Sequence, residues 1–388
     1  MASVPSSIVP GVQQIYGPAG GKAISVSGYV AGLDGLRGIA VISVILGHFG
    51  APGFSVAGGY GVDVFFVLSG YLISKIIIGY AERGTPLSTF YWNRFARLVP
   101  PLVLVCACLF LLPSSWLSTW GAVLNTANAL FYTANWTRAF PTPGWPNFMA
   151  HSWSLSVEEQ FYLLWPPLLY YATRRHRQVL ATLLVTTGSL LLLMFLIRIG
   201  ASEGHLYNGA HSRSPALFMG CCLAVFPQVR LPSWMALAAL LAYFGMVCLV
   251  SYTAVAGLVV SVLALILVCH ARFRDNRDVL TRVLSNRILI YFGVISYGAY
   301  LWHFPIWYGL SAKAGLSPLV AGLWGIPATV LLAHLTYVAI EYPVMQNRER
   351  LAAVTRAQLG RILFATNWLA IACGLVLFYG GFIVHAPY

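Results

Sequence analysis

Charge is what this sequence lacks. Only 9% of its 388 residues are charged and just 10 are Asp or Glu, against 59% hydrophobic residues. A soluble globular surface carries far more charge than that, so a soluble domain is excluded and the chain reads as an all-α, polytopic membrane protein. Metal-site spacing is missing too. The seven cysteines (Cys106, Cys108, Cys221, Cys222, Cys248, Cys269 and Cys373) form no C-x-x-C pair and fall in apolar stretches, where they read as packing residues. No H-E-x-x-H or equivalent ligand set occurs, so no metal is expected. Neither G-x-G-x-x-G nor G-x-x-x-x-G-K-[ST] stands out at a helix start, so a phosphate-bearing ligand would have to be held by side chains. No internal repeat is visible, which disfavours a transporter. Residues 1–30 lack the sustained apolar core of a cleaved signal peptide and are expected to form a cytoplasmic tail.

Long apolar runs are plentiful. Spanning about 30 Å of hydrocarbon takes about 20 apolar residues as helix. Eleven such stretches can be placed, near 34–55, 60–79, 98–114, 153–173, 178–198, 213–228, 232–250, 253–271, 287–309, 317–341 and 361–384. The net charge of +13 is spread over alternate loops. That is the positive-inside pattern of a membrane protein and points away from nucleic acid. With the N-terminus cytoplasmic, all 23 Lys and Arg except Arg138, Arg198, Arg213 and Lys313 fall on the inner side. The expected organisation is a tail over 1–30, a transmembrane bundle over 31–345, and a basic loop with one further helix over 346–388. The outer segment 115–152, with its "FPTPGWPNF", suggests a structured interfacial loop.

Ionisable groups inside lipid are costly and mark function. The first span, "LDGLRGIAVISVILGHF", carries Arg37 and His48, about 16.5 Å apart along a helix and near one face. In "GVDVFFVLSGYLI", Asp63 is expected near the depth of His48, to orient that imidazole or to cap the helix. Ser69 lies deeper, next to Gly70 in what reads as a close-packed stretch. "HSWSLSVEEQFYLLWPP" places His151, Ser154 and Glu158 along one side of a helix, with Glu158 and Glu159 pointing about 100° apart so that one of them serves the site. Arg213, an outer arginine, could polarise an acyl or glycan oxygen. His303 falls in the outer half of its span, with Tyr297 and Tyr300 lining the approach. Arg37, Arg94, Arg97 and Glu341 gather at the inner side. The pattern implies a two-ended site, one end able to deprotonate a hydroxyl and the other to hold a large anion.

These motifs, in this order from about residue 31 to 345, resemble acyltransferase family 3 of membrane O-acyltransferases. The motifs are "LDGLRGIAVISVILGHF", "GVDVFFVLSGYLI", "WNRFARLVPP", "HSWSLSVEEQFYLLWP", "ISYGAYLWHFPI" and "EYP". The resemblance implies an enzyme that moves an acyl group, acetyl foremost, from cytoplasmic acyl-CoA to a hydroxyl. The acceptor would be a cell-surface or lipid-linked glycan, with a small molecule such as a macrolide as the alternative, and the location a bacterial inner membrane. By resemblance Arg37 and His48 carry the arginine-histidine motif, Glu158 the glutamate of the tryptophan-serine-leucine motif and Arg97 the basic residue before the prolines. The mechanism expected from the residues has Arg37, Arg94 and Arg97 hold the donor, with Ser69 and Tyr297 along its path. In it His48 is the base, oriented by Asp63 or Glu158, with Arg213 and His303 completing the catalytic set. Some relatives continue into an extracytoplasmic hydrolase domain; here the bundle is expected to transfer unaided.

Overall fold

The computed structural model describes residues 30–54, 57–140, 148–227, 229–272, 278–349 and 351. Among these residues the regular structure is helical, with no strand. In chain order the helices are α1 (Ala31–His48), α2 (Ala57–Arg83), α3 (Leu87–Leu109), α4 (Thr119–Leu130) and α5 (Ala134–Ala139). They continue with α6 (Trp153–Arg174), α7 (Gln178–Arg198), α8 (Glu203–Asn208), α9 (Ala210–Val225) and α10 (Ser233–Leu249). The last are α11 (Ala254–Ala271), α12 (Val279–Leu284), α13 (Arg287–Val294), α14 (Ser296–Trp307) and α15 (Pro318–Thr336).

Helices lie over the first ten of the eleven expected spans, but only six among the described residues are long and apolar enough to cross a membrane. These are α1, α2, α3, α7, α11 and the run from Pro318 to Glu349 that α15 begins. The shortfall has a chemical reason. α6 carries the Ser, Glu and Gln side chains of "SLSVEEQ", and α9, of 16 residues, carries Arg213. The ninth expected span is two pieces, α13 and α14, which meet at Ile295. The third, expected at 98–114, begins at Leu87, because the polar "WNRFAR" turns are helical and place Arg94 and Arg97 against an internal cavity. The eleventh span, the tail, residues 141–147 of the proline-rich loop, Cys373, and Arg274, Arg277, Arg350, Arg356 and Arg361 lie outside the described residues.

α2 is the central post, packed against α1, α6, α9 and α11. Lipid offers no hydrophobic drive for helix association, so such bundles depend on close backbone approach at small residues. A Cβ on Gly70 would stand 1.9 Å from the Leu217 carbonyl oxygen of α9, and one on Gly220 would stand 2.1 Å from that of Val67 on α2. α1 seats in the same way, since a Cβ on Gly35 would fall 1.7 Å from the Leu284 carbonyl oxygen. The apolar side chains point outward instead. Leu184, Leu191, Met194 and Phe195 on α7 and Leu319, Leu323 and Trp324 on α15 are exposed, whereas Asp63, Arg213, His151 and His303 are buried. That inversion is what a bilayer requires. The fold is an integral, multi-pass membrane bundle.

One proline inside its helices is compensated by a neighbouring helix. Pro167 has no N–H for the Leu163 carbonyl, and Tyr91 of α3 donates to that oxygen at 3.3 Å instead.

Candidate active site

A cavity of about 650 Å³, its mouth included, opens between α1, α2, α3, α6 and α14. Arg37, Arg94, Arg97, Ser69, Glu158 and Tyr297 line it together, as do Ser154, Tyr162 and Tyr300. The helical repeat explains the α6 contribution, since Ser154, Glu158 and Tyr162 recur every four residues on one face. Glu159 is not among the lining residues, which answers which of the adjacent carboxylates faces the site.

Inside the cavity a chain of hydrogen bonds runs from Tyr162, whose hydroxyl donates to Ser69 Oγ at 3.2 Å, and from Ser69 to Glu158 Oε1 at 2.5 Å. The Arg94 guanidinium lies over the Tyr162 ring, 4.0 Å from its centroid, and its Nε has no hydrogen-bond partner. Arg37 is tied to Asp34 at 3.1 Å, one turn back on α1. Arg97 shares electrostatics with Glu341, so the cationic end of the cavity is partly compensated. Tyr297 is fixed by donating to the Leu98 carbonyl at 2.7 Å.

The histidines form a separate group. The ring centroids of His48 and His303 are 5.0 Å apart, and those of His303 and His151 are 5.3 Å apart. Phe304 and Trp307 pack edge-on against His48. His48 Nδ1 donates to the Val44 carbonyl at 2.9 Å, and His303 Nδ1 donates to that of Tyr300 at 2.6 Å. Each bond puts the proton on Nδ1 and leaves Nε2 with its lone pair. His303 Nε2 is buried without a partner. The His151 ring lies by the Leu301 carbonyl, which Pro305 deprives of its helical donor, at a geometry short of a hydrogen bond. Gly58 lets the His48 ring rest on α2, because a Cβ there would stand 2.9 Å from His48 Cε1.

Between the two groups stands Tyr300. Its hydroxyl lies 2.6 Å from Ser154 Oγ and donates to the His151 carbonyl at 2.9 Å, while its ring packs against His151 and His303. The cavity reaches Tyr300; His48 is not in its lining.

Three expected roles are corrected by this geometry. Asp63 neither orients His48 nor caps α2; it pairs with Arg213 at 2.8 Å and accepts from Tyr252 at 3.2 Å. Arg213, only 5% exposed, is boxed by Phe66, Trp153, Tyr207 and Tyr252, so it faces an ion pair and aromatic rings rather than a reacting oxygen. Two opposite charges at one depth in lipid neutralise each other in preference to standing free. Glu158 does not orient His48 either, because its partner is Ser69. His48 is oriented by its own helix. The residue missed from sequence is Tyr162, although its i+4 spacing from Glu158 was a signal for it.

The chain matches the family model described as an acyltransferase domain over residues 30–338. It is 31% identical over 359 residues to the peptidoglycan O-acetyltransferase OatA of Listeria monocytogenes, covering 82% of this chain and 56% of that protein. It is 31% identical over 348 residues to the O-acetyltransferase OatA of Staphylococcus aureus, covering 81% of this chain and 57% of that one. The chain thus spans little more than half the length of these relatives. No solved structure matches it.

Proposed function

The chain belongs to acyltransferase family 3, and on that premise we propose that it is a membrane O-acyltransferase that moves an acyl group, acetyl first, from acyl-CoA to a hydroxyl of a glycan. The names of its relatives favour peptidoglycan as that glycan. The observation that carries this reading is one cavity that holds three arginines with Ser69, Glu158 and Tyr162, and ends at the tyrosine against which the histidines pack.

In this reading the Arg37 end faces the cytoplasm of a bacterium and the His48 end faces outward. The donor phosphates sit among Arg94, Arg97 and Arg37, where a guanidinium fork matches phosphate oxygens. Arg94 offers the most, because its Nε has no hydrogen-bond partner and its plane is already held by Tyr162. The pantetheine arm runs past Ser69 and Tyr297 towards Tyr300. His48, with its lone pair on Nε2, takes the proton of the acceptor hydroxyl as the oxygen attacks the thioester carbonyl. The carbon–sulfur bond then breaks, the acyl ester leaves with the acceptor, and the thiolate recovers a proton from the imidazolium. Glu158 and Ser69 position the donor arm.

Acyl-CoA should raise the melting temperature of the detergent-solubilised protein. Arg94→Ala with Arg97→Ala should weaken its binding, at about 1.5–3 kcal/mol for each charge-assisted hydrogen bond removed. If neither acetyl-CoA nor longer acyl-CoAs shift the melting temperature, and none donates to a peptidoglycan acceptor, the donor assignment fails.

A further inference from the structure

Arg138 is one of the four basic residues that break the charge asymmetry of the loops, and neither the cavity nor the proposed donor site uses it. It ends α5, a short helix that packs against α6 and α8 at the histidine end. The guanidinium is half-buried. Its Nε donates to Asn208 Oδ1 at 3.0 Å, and Asn208 in turn donates to the Gly204 carbonyl of its own helix, so the anchor is rigid and neutral. Tyr207, Tyr300, His48 and His151 lie within its electrostatic reach. Among the described residues no carboxylate pairs with it; the acid of α8, Glu203, is exposed and makes no such bridge. The segment that follows, residues 141–147, contains no acidic residue in its sequence.

An arginine partly withdrawn from water without a counter-ion is costly near a membrane unless a ligand supplies the charge. Arg213, on the same side of the bundle, shows the alternative: it has Asp63. The neighbours of Arg138 are neutral groups, so it balances one unit of negative charge, which suits a carboxylate better than a phosphomonoester or a diphosphate. We propose that Arg138 is an acceptor-recognition residue that pairs with a carboxylate of an acidic saccharide and so brings a neighbouring hydroxyl to His48. This rests on the acyltransferase reading for the acceptor being a glycan and for His48 being the base.

The test measures binding without donor, by calorimetry on the full detergent-solubilised chain. The probes are a soluble peptide-free disaccharide fragment of peptidoglycan whose lactyl carboxylate is free and the same fragment with that carboxylate amidated. The wild type should bind the acidic fragment about tenfold or more tighter than the amidated one, as expected when a charge-assisted hydrogen bond is removed. Arg138→Gln should bind both at the weaker level, Arg138→Lys should keep part of the preference, and Asn208→Ala should lower it by freeing the guanidinium. Equal binding of the two fragments by the wild type, or a preference that survives in Arg138→Gln, overturns the proposal. So does, in a turnover assay with donor added, a fall in the kcat of Arg138→Gln of equal size on both fragments with KM unchanged, which would assign Arg138 to the reacting oxygen. If Arg138→Gln fails to fold, Arg138→Lys and Asn208→Ala decide, since a preference unchanged in both overturns the proposal. A carboxylate preference without acyl transfer leaves this subsite standing and removes the transferase reading; transfer without a preference does the reverse.

Discussion

The two ends of α1 are built on opposite plans. Around Arg37 most charges have company: Asp34 beside Arg37, Glu341 beside Arg97, and Glu158 within a hydrogen-bonded chain of Ser69 and Tyr162, while Arg94 lies over the Tyr162 ring with its Nε unpartnered. Around His48 the walls are aromatic, the histidines bond only to backbone, and ring nitrogens of His151 and His303 are left without partners. A compensated, open, cationic end suits reversible binding of a large anion. A dry end with free lone pairs suits proton transfer, because an imidazole already committed to a side-chain donor cannot act as a base. The difference assigns binding to one end and chemistry to the other.

The largest effect that could break this division is at His48. His48→Ala should lower turnover by the roughly 10²–10⁴ typical of a lost general base, with the acyl-CoA dissociation constant nearly unchanged. Arg37→Ala should do the converse, raising the half-saturating acyl-CoA concentration at near-normal turnover, and by less than the Arg94 change because Asp34 already draws on that guanidinium. Protein level and melting temperature are matched first. Near-normal transfer by His48→Ala at saturating substrates would move the base to His303, whose Nε2 is equally free.

A smaller effect comes from Gly58, which touches only one end. Gly58→Ala puts a methyl 2.9 Å from His48 Cε1, so the ring must shift by a few tenths of an ångström. We expect turnover to fall about tenfold through misplacement of the base, with donor binding and melting temperature close to wild type. An equal loss of donor affinity would show that the two ends move together.

The smallest effect is on pH, and again on the histidine end alone. His205 of α8 and His211 at the start of α9 lie outside the expected spans and bond Nε2 to Nε2 at 2.7 Å, so at least one must be neutral. Burial lowers the pKa of His205, and burial together with His205 pushes that of His211 down to about 4. Both groups hold protons less well folded than unfolded. Their contribution is therefore complete above the ordinary histidine range and is lost as pH falls from about 6.5 towards 4. Hydrogen exchange over residues 203–213, corrected for its intrinsic pH dependence, should show weaker protection at pH 5 than at 7.5. Stronger protection at pH 5 would break the assignment.

Apolar composition and helix-length runs determined by themselves that this is a helical membrane protein, because lipid allows a chain so poor in charge few other solutions. Sequence placed Arg37 and His48 on one helix, and placed Ser154 and Glu158 one turn apart on another, since a helical repeat is written in residue numbers. Partners across helices are not written that way. That Asp63 neutralises Arg213 instead of orienting His48 was decided by the close approach of α2 to α9 at Gly70 and Gly220. That Glu158 meets Ser69, while His48 relies on its own backbone, followed from how α6 and α1 are rotated against α2. Rotation of one helix against another is a property of packing, set by which small residues let the backbones touch. It is there that the tertiary structure separated the group that binds from the group that holds the proton.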